Sequence, residues 1–267
     1  MIDIHNHVIY EFDDGAKSLE ESLDMLKMAA DQGISDVFAT SHFNEVLNPK
    51  MEEDYFRKLK VLQEETGQRN IPVRVHSGSE IFFHHYMEQT IKKRRTSTLG
   101  DQGLYVLMEF PLYLMPSGVE ETLFKLNMEG YIPIVAHPER YSALHEKPEK
   151  ILNFIRFGGL LQVNAGSLLG DFGRTVKKIA IWLVENQYVH FVASDAHSKG
   201  GRCFKLAKAA AMLEEHCDKS YIETIVTHNP QKIVDNEKLE KLTIPEQQEQ
   251  SSGSLLQRVK QRLRLAR

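Results

Sequence analysis

The sequence predicts an α/β barrel, and three observations predict it. Seven stretches read as β-strands and alternate with stretches of helical periodicity, the pattern of repeated βα units. Six of the seven run into a histidine, aspartate or glutamate at or near their C-terminal ends. The length, 267 residues, suits one such barrel, for which roughly 250 is typical. Parallel barrel strands deliver their C-terminal ends to one face, where enzymes of this architecture keep their chemistry.

The first strand is Asp3–His7, and because alternate strand residues share a face, His5 and His7 make a clamp of two imidazoles. Ser18, with Glu21 three residues later, forms a capping box that opens a helix through Leu19, Leu23, Leu26 and Ala30, which Gly33 ends. The second strand, Asp36–His42, ends in a histidine and leads to a helix over about 52–65, stopped by Gly67. The third, Val73–Glu80, and the fourth, Leu104–Glu109, each end in a carboxylate, and helices over about 84–94 and 119–129 follow them. Tyr131–His137 is the fifth, with helical patterns after it at about 148–157 and 175–185. Val189–His197 closes the set with Asp195 and His197, ahead of a helical pattern at 203–215. After Asn229-Pro230 the periodicity loosens, so a barrel domain over 1–240, a polar linker over 241–254 and a basic amphipathic tail over 255–267 are expected.

The strand ends would bring His5, His7, His42, Glu80, Glu109, His137, Asp195 and His197 to one pocket, with one of Asp13 and Asp14 from the turn before Gly15. An isolated H-x-H is a weak signal, and a carboxylate most often simply opens a loop. Glu80 and Glu109, however, terminate apolar strands, where an unpaired charge is expensive. The set is too large for one four-coordinate ion, so two or three ions sharing carboxylates fit better. Imidazole and carboxylate without thiolate suit manganese, iron or zinc. His76 either supports this pocket or is a hydrogen-bonded core residue, whereas His84, His85, His145, His190, His216 and His228 read as structural or surface. The run Lys92–Arg95 reads as a solvated helix end, the alternative being a guide for an acidic polypeptide.

Composition narrows the class. At 42% hydrophobic and 26% charged, the chain has the material of an ordinary globular core. A formal charge of −4 gives no global basic field, so no nucleic-acid partner is expected. Cys203 and Cys217 are too few for a disulfide framework, and neither opens the arginine-closed loop of thiol phosphatases. The chain enters a strand from Met1 and holds no apolar run of about 18 residues, so a cytoplasmic location is expected.

Taken in order, these strand ends resemble the PHP (polymerase and histidinol phosphatase) metallophosphoesterases. Within them the chain is similar to the bacterial manganese-dependent tyrosine-protein phosphatases of capsule and exopolysaccharide synthesis. The matching stretches are Met1–His7, Phe12–Lys17, Ala39–His42, Ala136–Arg140, Gln162–Leu168 and Phe191–His197, spread over residues 1 to about 205. The resemblance implies a distorted, TIM-like (β/α)7 barrel of the PHP type holding three manganese ions, with iron or zinc as alternatives. It assigns His5, His7, Glu80 and Asp195 to one ion, Glu80, Glu109 and His137 to a second, and Asp14, His42 and His197 to a third. Arg140 and Arg202 would bind phosphate.

The activity implied is hydrolysis of phosphotyrosine by a metal-activated hydroxide, with a bacterial tyrosine kinase as the protein substrate. The alternatives are a small-molecule phosphomonoesterase acting on a substrate such as histidinol phosphate, and a non-catalytic regulator that binds a phosphoprotein. For the tail, weak attachment to anionic lipid stands against a helix packed on the barrel or a frayed end.

Overall fold

The fold is that of a computed structural model, which describes residues 1–43, 48–240 and 242. Among these residues nine strands run parallel: β1 (Ile2–Asn6), β2 (Asp36–Ala39), β3 (His42–Phe43), β4 (Arg74–Ser77), β5 (Glu80–Phe82), β6 (Tyr105–Glu109), β7 (Ile132–Ala136), β8 (Leu160–Asn164) and β9 (Phe191–Ala193). They are ordered β1-β2-β4 in one sheet and β3-β5-β6-β7-β8-β9 in the other. Only Thr40 and Ser41 separate β2 from β3, and only Gly78 and Ser79 separate β4 from β5, so two staves pass from one sheet to the other. The nine strands are therefore seven staves. The Asp195 N–H donates to the His5 carbonyl and the His7 N–H to the Ala196 carbonyl, both at 2.8 Å, so the last stave returns to the first. This is the distorted (β/α)7 barrel expected, and β8 is the stave whose end carries no metal-type side chain.

The two splits depart from the continuous strands expected at 36–42 and 73–80. Tyr55, fully buried, puts its hydroxyl into the gap, where it donates to the Ala39 carbonyl at 2.6 Å and accepts from the Gly78 N–H at 3.0 Å. A Cβ at Gly78 would stand 2.9 Å from a Leu99 methyl, so glycine lets the Leu99 side chain pack against the crossing. A side chain from a helix thus bridges the two staves where ladder bonds are interrupted.

Helix ends follow local chemistry. Ser18 caps the helix Leu19–Asp31 by accepting the Glu21 N–H at 3.2 Å, but the Glu21 carboxylate takes the Lys17 N–H at 3.0 Å, one residue before the capping-box position. The next helix, Pro49–Gln68, starts before the expected 52, because Asn48 accepts the Met51 N–H and Pro49 suits a first turn. It also runs through Gly67, which ends nothing. Val119–Met128 and Arg174–Glu185 lie where expected, while the patterns at 84–94 and 203–215 shrink to Met87–Lys93 and Leu206–Leu213. The pattern at 148–157 divides into a 3-10 turn, Pro148–Ile151, and a helix, Leu152–Arg156.

The loosening expected after residue 229 begins only after Val234. Helix Lys219–Glu223 continues through a π-turn, Thr224–His228, into Asn229–Val234. Pro230 has no N–H for the preceding turn; the widened π-turn absorbs that loss and the helix goes on. Ile233 from this helix joins Ile2, Ile4, Leu107, Ile134 and Phe191 in the apolar floor of the barrel. The expected linker and tail, 241–267, lie outside the described residues apart from Leu242.

Alternation places the interior. On β6, Tyr105 and Leu107 belong to the floor and Val106 and Met108 to the layer under the helices, so Glu109 is the next inward position. The same parity carries β8 from Leu160 to Gln162 and Asn164, and β9 from Phe191 and Ala193 to Asp195.

His76, partly exposed, bonds Asp36 at 2.8 Å and stacks on Phe38, so it is hydrogen-bonded as in the core alternative but not fully buried. Lys92, Arg94 and Arg95 pair with Glu129, Glu52 and Asp101, as a solvated helix end does. His190 is buried, and its Nδ1 accepts the Leu161 N–H at 3.0 Å. Burial holds its pKa at about 3. An unfolded histidine titrates near about 6.5, so as pH falls from there toward 3 the unfolded state binds the extra proton and stability drops. His190→Phe is expected to lower stability at pH 7.5 by ~1–3 kcal/mol through the orphaned Leu161 N–H. Thermal melts should show that gap shrinking by about 1 kcal/mol at pH 5.5, because the variant has no imidazole to charge.

Candidate metal centre

The eight side chains expected at the strand ends, and Asp14 from the turn before Gly15, meet at the barrel mouth. Glu80, at the start of β5, is the hub, 1% exposed. Its Oε2 lies 3.1 Å from His42 Nδ1, 3.2 Å from His5 Nε2 and 3.6 Å from His7 Nε2, and its Oε1 lies 3.0 Å from His137 Nε2. Asp195 Oδ1 is 3.5 Å from each of His5 Nε2, His7 Nε2 and His197 Nδ1. Glu109 Oε1 is 3.5 Å from His137 Nε2, and Asp14 Oδ1 is 3.4 Å from His42 Nε2 and 3.3 Å from His197 Nε2. His137 and Asp195 both have left-handed backbones, φ 34° and 53°, which turn the chain at the ends of their strands.

The shorter of these spacings fit donors that share an ion. Two atoms each ~2.1 Å from one ion stand ~3.0 to ~3.4 Å apart for right-angle or tetrahedral coordination. The donors fall into overlapping groups: His5, His7 and Glu80; His7, Asp14, His42 and His197; His42, Glu80 and Glu109; His5, His137 and Asp195. Moreover, His5 Nε2, His7 Nε2, His197 Nε2 and Glu80 Oε2 are buried with no hydrogen-bond partner. Buried polar atoms are almost always satisfied, so a cluster of orphans aimed at one space fits cation binding.

Charge is divided unevenly here. Burial disfavours an ionised His5, but Glu80 and Asp195 outweigh it and push the pKa up to about 9; Asp13 and Asp195 lift His7 to about 10. Burial dominates at His137 and His197, which fall to about 4 and about 3. Burial and the neighbouring Glu80 push Glu109 up to about 7.

Several residues support the donors in ways the sequence did not show. Asp13, read as a turn residue or cap, does accept the Gly15 N–H at 2.9 Å, but its Oδ2 also takes His7 Nδ1 at 2.8 Å and the His42 N–H at 2.9 Å. A carboxylate behind a ligating imidazole is the usual way to aim it. Asp3 accepts the Ser194 N–H at 2.8 Å and so staples β1 to the exit of β9. Tyr141 donates to the Ala136 carbonyl at 2.7 Å and accepts from the Phe110 N–H at 3.1 Å, fixing the residues next to His137 and Glu109.

Arg140 and Arg202 reach the same rim. Arg140 Nη1 donates to Asp195 Oδ2 at 2.9 Å and Arg202 Nη2 to the same oxygen at 2.6 Å, so two guanidiniums converge on one anionic atom. The Arg140 guanidinium lies 4.4 Å from the Phe172 ring centroid, and the Arg202 carbonyl accepts the His197 N–H at 2.7 Å.

The family model for capsular polysaccharide synthesis proteins CpsB/CapC matches residues 1–235. The chain belongs to the CpsB/CapC family. It is 34% identical to the tyrosine-protein phosphatase YwqE of Bacillus subtilis, across 89% of this chain and 92% of that one. It is 32% identical to a putative tyrosine-protein phosphatase CapC of Staphylococcus aureus, across 90% and 94%. A solved chain, reported with the crystal structures of YwqE from B. subtilis and CpsB from Streptococcus pneumoniae as metal-dependent tyrosine phosphatases, has a TM-score of 0.82. It is 34% identical and covers 91% of this chain and 97% of its own. An organophosphorus hydrolase from Deinococcus radiodurans shares the fold alone, with TM-score 0.57 at 11% identity. Among the described residues of this CpsB/CapC chain, no helix is long and apolar enough to cross a membrane.

Proposed function

We propose that the chain is a metal-dependent phosphatase that hydrolyses phosphotyrosine on a protein, with a bacterial tyrosine kinase as its substrate. The observation that carries the site is the set of histidine nitrogens within 3.6 Å of the Glu80 carboxylate, in which His5 Nε2, His7 Nε2 and Glu80 Oε2 are buried without a hydrogen-bond partner. His5, His7, Glu80 and Asp195 would hold one ion, Glu80, Glu109 and His137 a second, and Asp14, His42 and His197 a third. Nitrogen and oxygen donors with no thiolate suit manganese, with iron or zinc as substitutes. Bound there, the metal supplies Lewis acidity and a water acidified toward neutral pH.

The protein's own contribution is anion recognition and positioning. Arg140 and Arg202 exchange the Asp195 oxygen they share for the equatorial oxygens of the phosphate, which planar guanidiniums suit. Asp13 holds His7, and Tyr141 holds the ends of β6 and β7, so the donors stay spaced through a turnover. A phenol leaving group with a pKa of about 10 departs with little protonation, which favours an aryl ester over an alkyl one.

Phe172 keeps the Arg140 guanidinium over its ring. Phe172→Ala is expected to raise KM for a phosphotyrosyl peptide about 3- to 30-fold with kcat little changed, the range a cation–π contact supports. Steady-state kinetics at saturating manganese checks it. For the substrate class, phosphate release from a phosphotyrosyl peptide is compared with release from histidinol phosphate. The proposal expects kcat/KM to favour the peptide by orders of magnitude; a preference for histidinol phosphate would replace it with a small-molecule phosphatase.

A further inference from the structure

We propose that Gln162 and Asn164 form an amide relay that sets the tautomer of His5 and couples it to Asp195, so that both present bare donor atoms to one metal position. The relay rests on the metal-site reading above. His5 Nδ1 lies 2.8 Å from Gln162 Oε1, Gln162 Nε2 donates to Asn164 Oδ1 at 2.8 Å, and Asn164 Nδ2 donates to Asp195 Oδ2 at 2.6 Å. All four side chains are buried, so water does not compete for these bonds.

One end decides every proton in the chain. Asp195 Oδ2, which also receives both arginines, can only accept. Asn164 must therefore turn its NH2 to Asp195 and its oxygen to Gln162. Gln162 must in turn give its NH2 to Asn164 and its oxygen to His5. An oxygen facing the ring places a hydrogen on Nδ1, so the neutral imidazole that ligates a metal carries its lone pair on Nε2. That is the His5 atom found buried without a hydrogen-bond partner, 3.2 Å from Glu80 Oε2 and 3.5 Å from Asp195 Oδ1.

Asp195 divides its two oxygens in the same way. Oδ2 takes the relay and the arginines, and Oδ1 stays directed at His5, His7 and His197. The stave without a ligand of its own thus orients ligands from β1 and from the end of β9. His7 needs no such chain, because it leans directly on Asp13.

The test is a manganese titration of the chelator-stripped full-length protein, with free ion followed by electron paramagnetic resonance. Wild type is compared with Gln162→Leu, Asn164→Leu and the double variant, each first checked for a cooperative thermal melt. Each single change is expected to weaken the tightest site 10- to 100-fold, the usual effect of removing a partner behind a ligand. The double variant should lose no more than the worse single one, because a relay is broken once. Gln162→Glu keeps the acceptor facing Nδ1 but loses the NH2 given to Asn164, so it should recover only the His5 part of the affinity lost in Gln162→Leu, and it also serves if the leucine variants fail to fold. Unchanged affinities in folded variants, losses that multiply in the double variant, or no recovery with glutamate would overturn the relay. A wild type that takes up no manganese would overturn the metal-site reading and the relay with it.

Discussion

Glu80→Gln is expected to lower kcat/KM for a phosphotyrosyl peptide by at least ~10³-fold, equivalent to about 4 kcal/mol of lost transition-state stabilisation. The glutamine keeps the volume, so the effect is chemical and not a cavity. Glu80 Oε2 stands within 3.6 Å of nitrogens on His5, His7 and His42, while Oε1 stands 3.0 Å from His137. An amide in its place offers one neutral oxygen and one NH2 that cannot ligate, and it leaves four imidazoles without their shared anion. Metal analysis should show at least one ion lost per chain. A variant with full manganese content and a rate within tenfold of wild type would remove Glu80 from the bridging position.

Gly15→Ala is the second large effect, at a residue with no side chain to contribute. A Cβ there would lie 2.1 Å from the His7 carbonyl oxygen, 2.6 Å from His7 Cβ and 2.9 Å from Asp13 Oδ1. The backbone cannot yield, because the His7 carbonyl accepts the Ala16 N–H at 3.1 Å and the turn must sit against β1. One methyl therefore drives the Asp13-Asp14 turn away from the mouth. Asp13 then releases His7, and Asp14 leaves His42 and His197 together. Activity is expected to fall at least ~100-fold through metal affinity, and overpacking should cost ~1–3 kcal/mol of stability in a denaturant melt. Wild-type activity would show that the turn adapts and that Asp14 is dispensable.

Most of the candidate donors were legible in the sequence because a barrel converts strand parity into position, whereas His137 follows Ala136 of the floor and has a left-handed backbone. Glu109 and Asp195 each follow an apolar alternation by one step, and His5 and His7 bracket one residue. Residues that act through others were not legible. Gln162 and Asn164 are neutral amides with no charge to draw notice, and only the fold brings them between His5 and Asp195. Asp13 shows half of its work, since a turn acid before glycine is expected for the turn alone. The stave splits were hidden for a different reason: Tyr55, which fills the gap, comes from a helix between the two staves. Pro230 was misleading because a proline usually ends a helix, whereas here a π-turn absorbs it.

The measurement that tests the account most directly is phosphate release from a phosphotyrosyl and a phosphoseryl peptide by chelator-stripped protein, with and without added manganese, beside Asp195→Ala. The account predicts manganese-dependent turnover of the tyrosyl peptide alone, lost in the variant that removes the carboxylate shared by His5, His7, His197, Arg140 and Arg202. Turnover of neither peptide by fully metal-loaded protein, or undiminished turnover by the variant, would contradict it.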